Sequence, residues 1–300
     1  MGAVRSVLLG MGRGFSRHEG VTRAAALAFF FFMSLFPFLI FLASAMALLP
    51  IHNLADRTLD VAANFVPDET MPLVESMLNA TMRTNKGLLS AGFVIAIIAA
   101  SNGFNALIAA LDRVYEVQET RNFWRVRIMA VWMTFVVGGL VALALSAMLL
   151  GPHFGLRLAD EFDVSDLFVA VWPFVRWVVA LCAVAISFEL MYCLAPNRKQ
   201  PIVRQVPGAV FGMAVWVISS SLLGVYLRDV AYFNATYGML TALLVLMIWF
   251  QLSAVAILLG AELNAQLELR RAAASLIAEP PVPVVNEVAG EQGDARSLPA

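Results

Sequence analysis

Residues 237–264 read YGMLTALLVLMIWFQLSAVAILLGAELN, and this stretch contains no charged side chain before Glu262. An α-helix rises about 1.5 Å per residue, so about twenty consecutive apolar residues are enough to cross the hydrocarbon core of a bilayer. The stretch therefore predicts a membrane-spanning helix.

One face of this predicted helix carries small and polar side chains, namely Trp249, Ser253, Gly260 and Asn264. Small residues let two helix backbones approach closely, and polar side chains form hydrogen bonds across such a contact. Such a stripe is of no use against lipid. We therefore expect this face to pack against neighbouring helices.

A second stripe repeats every four residues along an earlier apolar segment. It consists of Gly208, Gly212, Trp216, Ser220 and Gly224. A close-packing seam between helices is the simpler interpretation of this spacing. A surface on which one helix slides in a transporter is the alternative, and spacing by itself does not separate the two.

The composition indicates a polytopic membrane protein, because 61% of the 300 residues are hydrophobic and only 14% are charged. We predict an all-α fold with a six-helix transmembrane domain over residues 24–268. The predicted helices span residues 24–49, 87–111, 128–150, 171–194, 206–227 and 239–264. Short amphipathic helices on the outer surface are expected over 51–86, a basic cytoplasmic segment over 1–23 and a disordered cytoplasmic tail over 269–300.

The distribution of Lys and Arg predicts the orientation. The N-terminal segment, the loops 112–127 and 195–205, and the C-terminal tail hold four, four, three and three basic residues, whereas the opposite connections hold three, one and one. Basic residues accumulate on the cytoplasmic side of inner-membrane proteins. We therefore expect both termini in the cytoplasm of a bacterial cell.

Several polar residues lie within the predicted membrane helices and require partners there, since an uncompensated polar group in hydrocarbon costs several kcal/mol. They are Ser101, Asn102, Asn105, Asp112, Glu189, Glu262 and Asn264. Hydrogen bonding between helices is one interpretation, and a polar cavity open to the cytoplasm is the other. The two glutamates are the candidates for function, because ionisable groups at membrane depth are rare.

Residue sets typical of enzymes are absent from the sequence. The three histidines, His18, His52 and His153, fall in different predicted compartments, so no histidine-rich metal site is expected. There is no GxxxxGK[ST] phosphate loop and no GxSxG nucleophile motif. We predict no enzyme activity, no metal and no cofactor. Membrane lipids are the expected partners, and the basic loops, which the orientation already explains, do not indicate a specific nucleic acid.

A series of short motifs supports a family resemblance over about residues 10 to 268. The motifs are Ala24–Phe29 with Ser34-Leu35-Phe36-Pro37, Ser101–Asn105, Tyr115 with Glu119, Arg121 and Phe123, Ala195-Pro196-Asn197, Pro207-Gly208-Ala209, Tyr237-Gly238, Trp249, and Gly260–Asn264. In this order they resemble the YihY/virulence factor BrkB family of bacterial inner-membrane proteins. Asp112 stands where the family pattern has asparagine.

The resemblance implies six transmembrane helices and an inner-membrane location, and it implies less about activity. Some members of the family carry an old ribonuclease BN label, and others are tied to serum resistance or to the movement of lipids. We expect a transporter or flippase-like protein for a lipid or another amphiphile. The alternative is a non-transporting scaffold or envelope-resistance factor that acts through protein partners.

The predicted orientation is tested with a reporter enzyme that is active only in the periplasm. Fusion after Asp163 should give activity and fusion after Lys199 should not, because the basic loops remain in the cytoplasm. The opposite pattern, with activity at Lys199 and none at Asp163, would invert the topology.

Overall fold

A computed structural model of the chain describes residues 2–48, 86–149, 166–198, 200–229 and 238–278. The helices in these ranges are α1 (Gly2–Arg17), α2 (Gly20–Leu48), α3 (Lys86–Val114), α4 (Phe123–Leu149), α5 (Asp166–Leu194), α6 (Val206–Asp229) and α7 (Gly238–Ala278), with a 3-10 helix at Ile202–Arg204. No strand occurs in them. The predicted all-α fold is confirmed, whereas residues 51–85 of the predicted outer segment lie outside the described residues.

Five of these helices are long and apolar enough to cross a membrane, and they are α2, α4, α5, α6 and α7. The predicted second span falls on α3, a helix of 29 residues that is not among these five. Six long helices are compatible with six spans, and the count of six stays a prediction. The last helix continues through Ala278, beyond the predicted start of the disordered tail at 269, and residues 279–300 lie outside the described residues.

The long helices form a ring in chain order. Each helix from α2 to α6 packs against the next one, and α7 contacts α2 and so closes the ring. Helix α7 also contacts α1 and α3. It therefore has more neighbours than any other helix in the described part of the chain. The expectation that the last apolar segment packs against several helices is met by this arrangement.

Apolar side chains divide between the inside of the ring and its outer surface. Leu107, Met133 and Leu258 are fully buried between helices, whereas Phe174 and Leu222 are largely exposed. Large apolar side chains on the outside of a bundle are unfavourable in water and favourable in lipid. The outer surface is therefore built to face hydrocarbon.

Helices α5, α6 and α7 meet where side chains are smallest. A Cβ atom added to Gly208 would lie well under 3.0 Å from the carbonyl oxygen of Gly260, and one added to Gly260 would collide with the Tyr192 hydroxyl. Tyr192 is fully buried and donates a hydrogen bond of 2.8 Å to the carbonyl of Ile257. Gly212 is equally close to Tyr192 and to Phe188. The backbones of α6 and α7 are thus as close to each other as glycine permits.

The polar members of the two stripes bond across the same contact. Trp216 Nε1–H donates to Ser253 Oγ at 2.9 Å, and Trp249 Nε1–H donates to Ser220 Oγ at 3.1 Å. Gly224 is predicted to continue the seam, but it is exposed, and a Cβ there would meet no atom of the described residues within 4 Å. In the described part of the chain the seam therefore does not extend to Gly224.

Substitution of either contact glycine tests this packing. Gly208→Ala and Gly260→Ala should each lower the thermal unfolding midpoint of the detergent-solubilised protein, because an added methyl meets backbone oxygen or a buried tyrosine and overpacking costs about 1–3 kcal/mol. Tryptophan fluorescence during heating measures the midpoint. Gly224→Ala is the matched control and should leave the midpoint unchanged or raise it slightly. Equal loss of stability in all three variants would contradict the seam.

Candidate functional site

Four segments that are distant in sequence meet at one end of the helix ring. They are the α1–α2 turn, the α3–α4 loop (115–122), the α5–α6 link (195–198 and 200–205) and the second half of α7. We call this the charged end. These are the segments that the count of basic residues assigns to one side of the membrane, and the structure brings them together on one side of the bundle.

His18 occupies the α1–α2 turn and is 5% exposed. Its Nδ1 lies 2.6 Å from Oε1 of Glu262, which is completely buried on α7, and its Nε2 lies 3.3 Å from Oε1 of Glu116. The imidazole thus stands between carboxylates from α7 and from the end of α3. Arg17 pairs with the same Glu116 carboxylate.

Helix α1 approaches α7 through glycines. A Cβ on Gly14 would collide with Oε2 of Glu262, and a Cβ on Gly10 would lie 2.5 Å from Oε1 of Gln266. Gly10 and Gly14 are four residues apart on α1, as Glu262 and Gln266 are on α7, so one face of α1 contacts one face of α7. This packing positions Glu262 against α1, where Oε2 finds no hydrogen-bond partner among the described residues.

Asp112 near the end of α3 holds the α5–α6 link. Its Oδ1 accepts a hydrogen bond of 2.7 Å from the backbone N–H of Asn197. Asn197 Nδ2 in turn donates to the carbonyl of Gln118 and to Thr120 Oγ1 in the α3–α4 loop. The two connections are therefore joined by one asparagine that serves both as backbone donor and as side-chain donor.

Arg121 also joins the α3–α4 loop to the α5–α6 link. It donates to the carbonyl of Ala195 at 2.8 Å and to Oε2 of Glu119 at 2.6 Å. The guanidinium holds the pKa of the Glu119 carboxyl below its usual value. Oδ2 of Asp112 lies 3.9 Å from Arg121, which is too long for a hydrogen bond, and it has no other partner among the described residues.

Asn264 ties the start of α6 to α7. Its Oδ1 accepts from the N–H of Gly208 at 2.8 Å, and its Nδ2 donates to the carbonyl of Gln205 at 2.9 Å. The first N–H groups of a helix have no partner within the helix, so this side chain acts as a cap supplied by a neighbouring helix. Tyr115 Oη donates to Oε1 of the buried Gln205 at 3.0 Å and extends the contact to the end of α3.

A cavity of about 330 Å³ opens at the charged end. The α1–α2 turn and the end of α3 form its walls, with Arg17, His18, Asp112, Arg113, Glu116 and residues 117–118. Arg17 and Glu116 are exposed at its mouth, whereas His18 and Asp112 are buried. It thus connects the surface with two buried titratable side chains.

The structure places the predicted polar residues at separate contacts. Ser101 donates to the carbonyl of Ile98 in its own helix, and Asn102 is exposed and accepts from Arg127. Oδ1 of Asn105 is buried without a partner among the described residues.

The remaining members of the predicted set are equally dispersed. Glu189 accepts a hydrogen bond from Cys193 one turn away, Asn264 caps α6, and Glu262 contacts His18. Only Asp112 of the seven residues lines the cavity described above. In the described part of the chain the seven therefore lie at separate positions and do not surround one common cavity.

His18 is the participant that sequence reasoning missed. It was assigned to a compartment of its own, away from the other histidines, and no spacing links it with Glu262, which lies 244 positions later. The signal lay instead in Gly10 and Gly14, whose spacing matches that of Glu262 and Gln266. Within the described ranges, no three His, Cys, Asp or Glu side chains come together as a metal site requires.

Several motif residues that carried the family resemblance meet at the charged end. Arg121, Asn197, Gly208 and Asn264 belong to the hydrogen-bonded contacts there. Asp112 takes the place of the family's asparagine and still accepts the Asn197 N–H.

The chain is similar to known proteins over most of its length. The family model described as Virulence factor BrkB matches residues 11–283. YfkH of Bacillus subtilis (strain 168), named as ribonuclease-like, is 41% identical over 259 residues, which is 86% of this chain and 93% of that protein. A UPF0761 membrane protein of Idiomarina loihiensis, IL2447, is 28% identical over 69% of this chain and 70% of its own.

A third relative is longer. The UPF0761 membrane protein of Alkalilimnicola ehrlichii is 26% identical over 83% of this chain, which spans 55% of that protein. No solved structure matches the chain. The match over nearly the whole sequence, together with the helices able to cross a membrane, shows that this chain is a membrane protein of the virulence factor BrkB family.

Proposed function

We propose that this protein is an inner-membrane transporter or flippase-like protein that moves a lipid or another amphiphile, with six spans and the charged end in the cytoplasm. The observation that carries the proposal is the buried contact between His18 and Glu262 beside an open cavity. Ionisable groups are expensive within a membrane protein and are retained where they bind or move something.

The contact between His18 and Glu262 lies where helix α1 could move relative to α7. Helix α1 is held on α7 by His18 and by the glycines at positions 10 and 14, without large interlocking side chains at those points. Movement of α1 away from α7 would break the His18–Glu262 contact and change the cavity that Arg17 and His18 line, as a transporter requires of a gate.

A scaffold that recruits protein partners is the second candidate, and one observation favours it. The polar residues of the charged end are largely bonded to one another, as in the link from Asp112 through Asn197 to Thr120. A network of this kind makes a rigid platform. If the protein is a scaffold, it does not move lipid, and deletions within 54–84 have the largest effect on its function.

Lipid movement in reconstituted vesicles separates the two candidates. Wild-type protein should accelerate the exchange of fluorescent lipid between leaflets, measured by quenching from outside. Glu262→Gln should slow it about tenfold, because a charged hydrogen bond to His18 becomes a neutral one while the shape is kept. Asn105→Leu should also reduce the rate, since it removes a buried amide that has no fixed partner among the described residues.

Glu268→Gln is the matched control, because Glu268 pairs with Arg198 at the same end but does not line the cavity. Its rate should equal that of the wild type. No acceleration by the folded wild-type protein, across vesicles of several lipid compositions, would contradict the transport proposal and favour the scaffold.

We do not extend to this chain the ribonuclease-like name of its relative YfkH. Purified protein incubated with RNA and with Mg²⁺ or Mn²⁺ should produce no cleavage above a mock preparation, because the sequence offers no catalytic or metal-binding set. Gel analysis of labelled RNA is the measurement. Metal-dependent cleavage that a point substitution in this chain abolishes would overturn this part of the proposal.

A further inference from the structure

Two side chains of opposite charge lie at the cavity of the charged end. Oδ2 of the buried Asp112 lies 3.9 Å from Arg121 and receives no hydrogen bond from the described residues. Arg113, the next residue, also lines the cavity, is exposed and makes no side-chain ion pair or hydrogen bond within the described ranges. By contrast, Arg17 and Glu116 at the mouth pair with each other.

The unpaired groups define the chemistry of a ligand. A buried carboxylate oxygen without a donor carries a desolvation cost that a ligand ammonium group removes. An unpaired guanidinium is suited to a phosphate, to which it donates two parallel hydrogen bonds. The adjacent residues Asp112 and Arg113 thus match a ligand that holds an ammonium and a phosphate a few atoms apart.

The location of the cavity favours a lipid over a free zwitterion. Residues 117 and 118 of the α3–α4 loop line the cavity, and the same loop leads to Phe123 and Trp124, which are 66% and 69% exposed at the start of α4. Exposed aromatic side chains at the end of a membrane helix mark the headgroup region of the bilayer. Val21, just beyond the α1–α2 turn, is also exposed and apolar. A volume of about 330 Å³ accommodates a headgroup, while acyl chains remain outside.

We infer that this cavity binds the headgroup of a zwitterionic aminophospholipid, with the primary ammonium on Asp112 and the phosphate on Arg113. The inference rests on the proposed function, for which it names the substrate class. Phosphatidylethanolamine has both groups. Phosphatidylcholine lacks the N–H donors that the Asp112 carboxylate needs, and phosphatidylglycerol lacks the cation.

Native mass spectrometry of the detergent-solubilised protein measures the binding of these three lipids with matched acyl chains. Phosphatidylethanolamine should bind about tenfold more tightly than the other two, as expected for one additional charge-assisted hydrogen-bonded pair. Asp112→Asn should abolish this preference. Its amide oxygen still accepts the Asn197 N–H, so the fold is retained, and a thermal unfolding midpoint verifies that. Arg113→Gln should weaken all three phospholipids to a similar extent.

Glu268→Gln is again the control and should bind phosphatidylethanolamine as the wild type does. Equal binding of the three lipids, or unchanged preference in Asp112→Asn, would overturn the inference. Displacement of the lipid by soluble phosphoethanolamine at equal concentration would show that a free zwitterion is the ligand, and would also overturn it. Selective binding without lipid movement would refute the transport proposal alone, whereas lipid movement without selective binding would refute this inference alone.

Discussion

The close approach of α6 and α7 at Gly208 and Gly260 is the contact on which the arrangement of the charged end depends. With a side chain at either position the helices would separate, and Asn264 would no longer reach the N–H of Gly208 and the carbonyl of Gln205. Gln205 in turn receives the Tyr115 hydroxyl from α3. Because small residues permit the contact and an amide completes it, packing and hydrogen bonding reinforce each other.

A membrane bundle faces the general difficulty that water is not available to satisfy polar groups in hydrocarbon. This chain meets the difficulty in two ways. Most polar side chains bond within their own helix or to the next one, as Ser101 and Trp216 do. At the charged end the chain instead concentrates titratable residues, and there Glu262 and Asp112 each keep one oxygen without a partner among the described residues. Asn105 and Glu189 also keep an unpaired oxygen, so the charged end differs from these positions by the cavity that His18 and Asp112 line.

The relatives give the family but not the activity. One is named as ribonuclease-like and others only as membrane proteins, so the names themselves point in different directions. The described structure offers helices, an imidazole between two carboxylates and a small charged cavity. The proposed recognition of a charged headgroup rests on this cavity and on the residues that line it.

The sequence by itself determined the properties that follow from short-range periodicity and composition. The all-α membrane fold, the end of α5 at Leu194, the start of α6 at Val206 and the grouping of the basic segments could all be predicted, because helix formation and hydrophobicity are properties of neighbouring residues. Only the tertiary structure decided which faces meet. The pairing of His18 with Glu262, the capping of α6 by Asn264 and the exposure of Gly224 depend on the register between helices far apart in the chain. That register is set by packing over whole helix surfaces, and no local pattern encodes it.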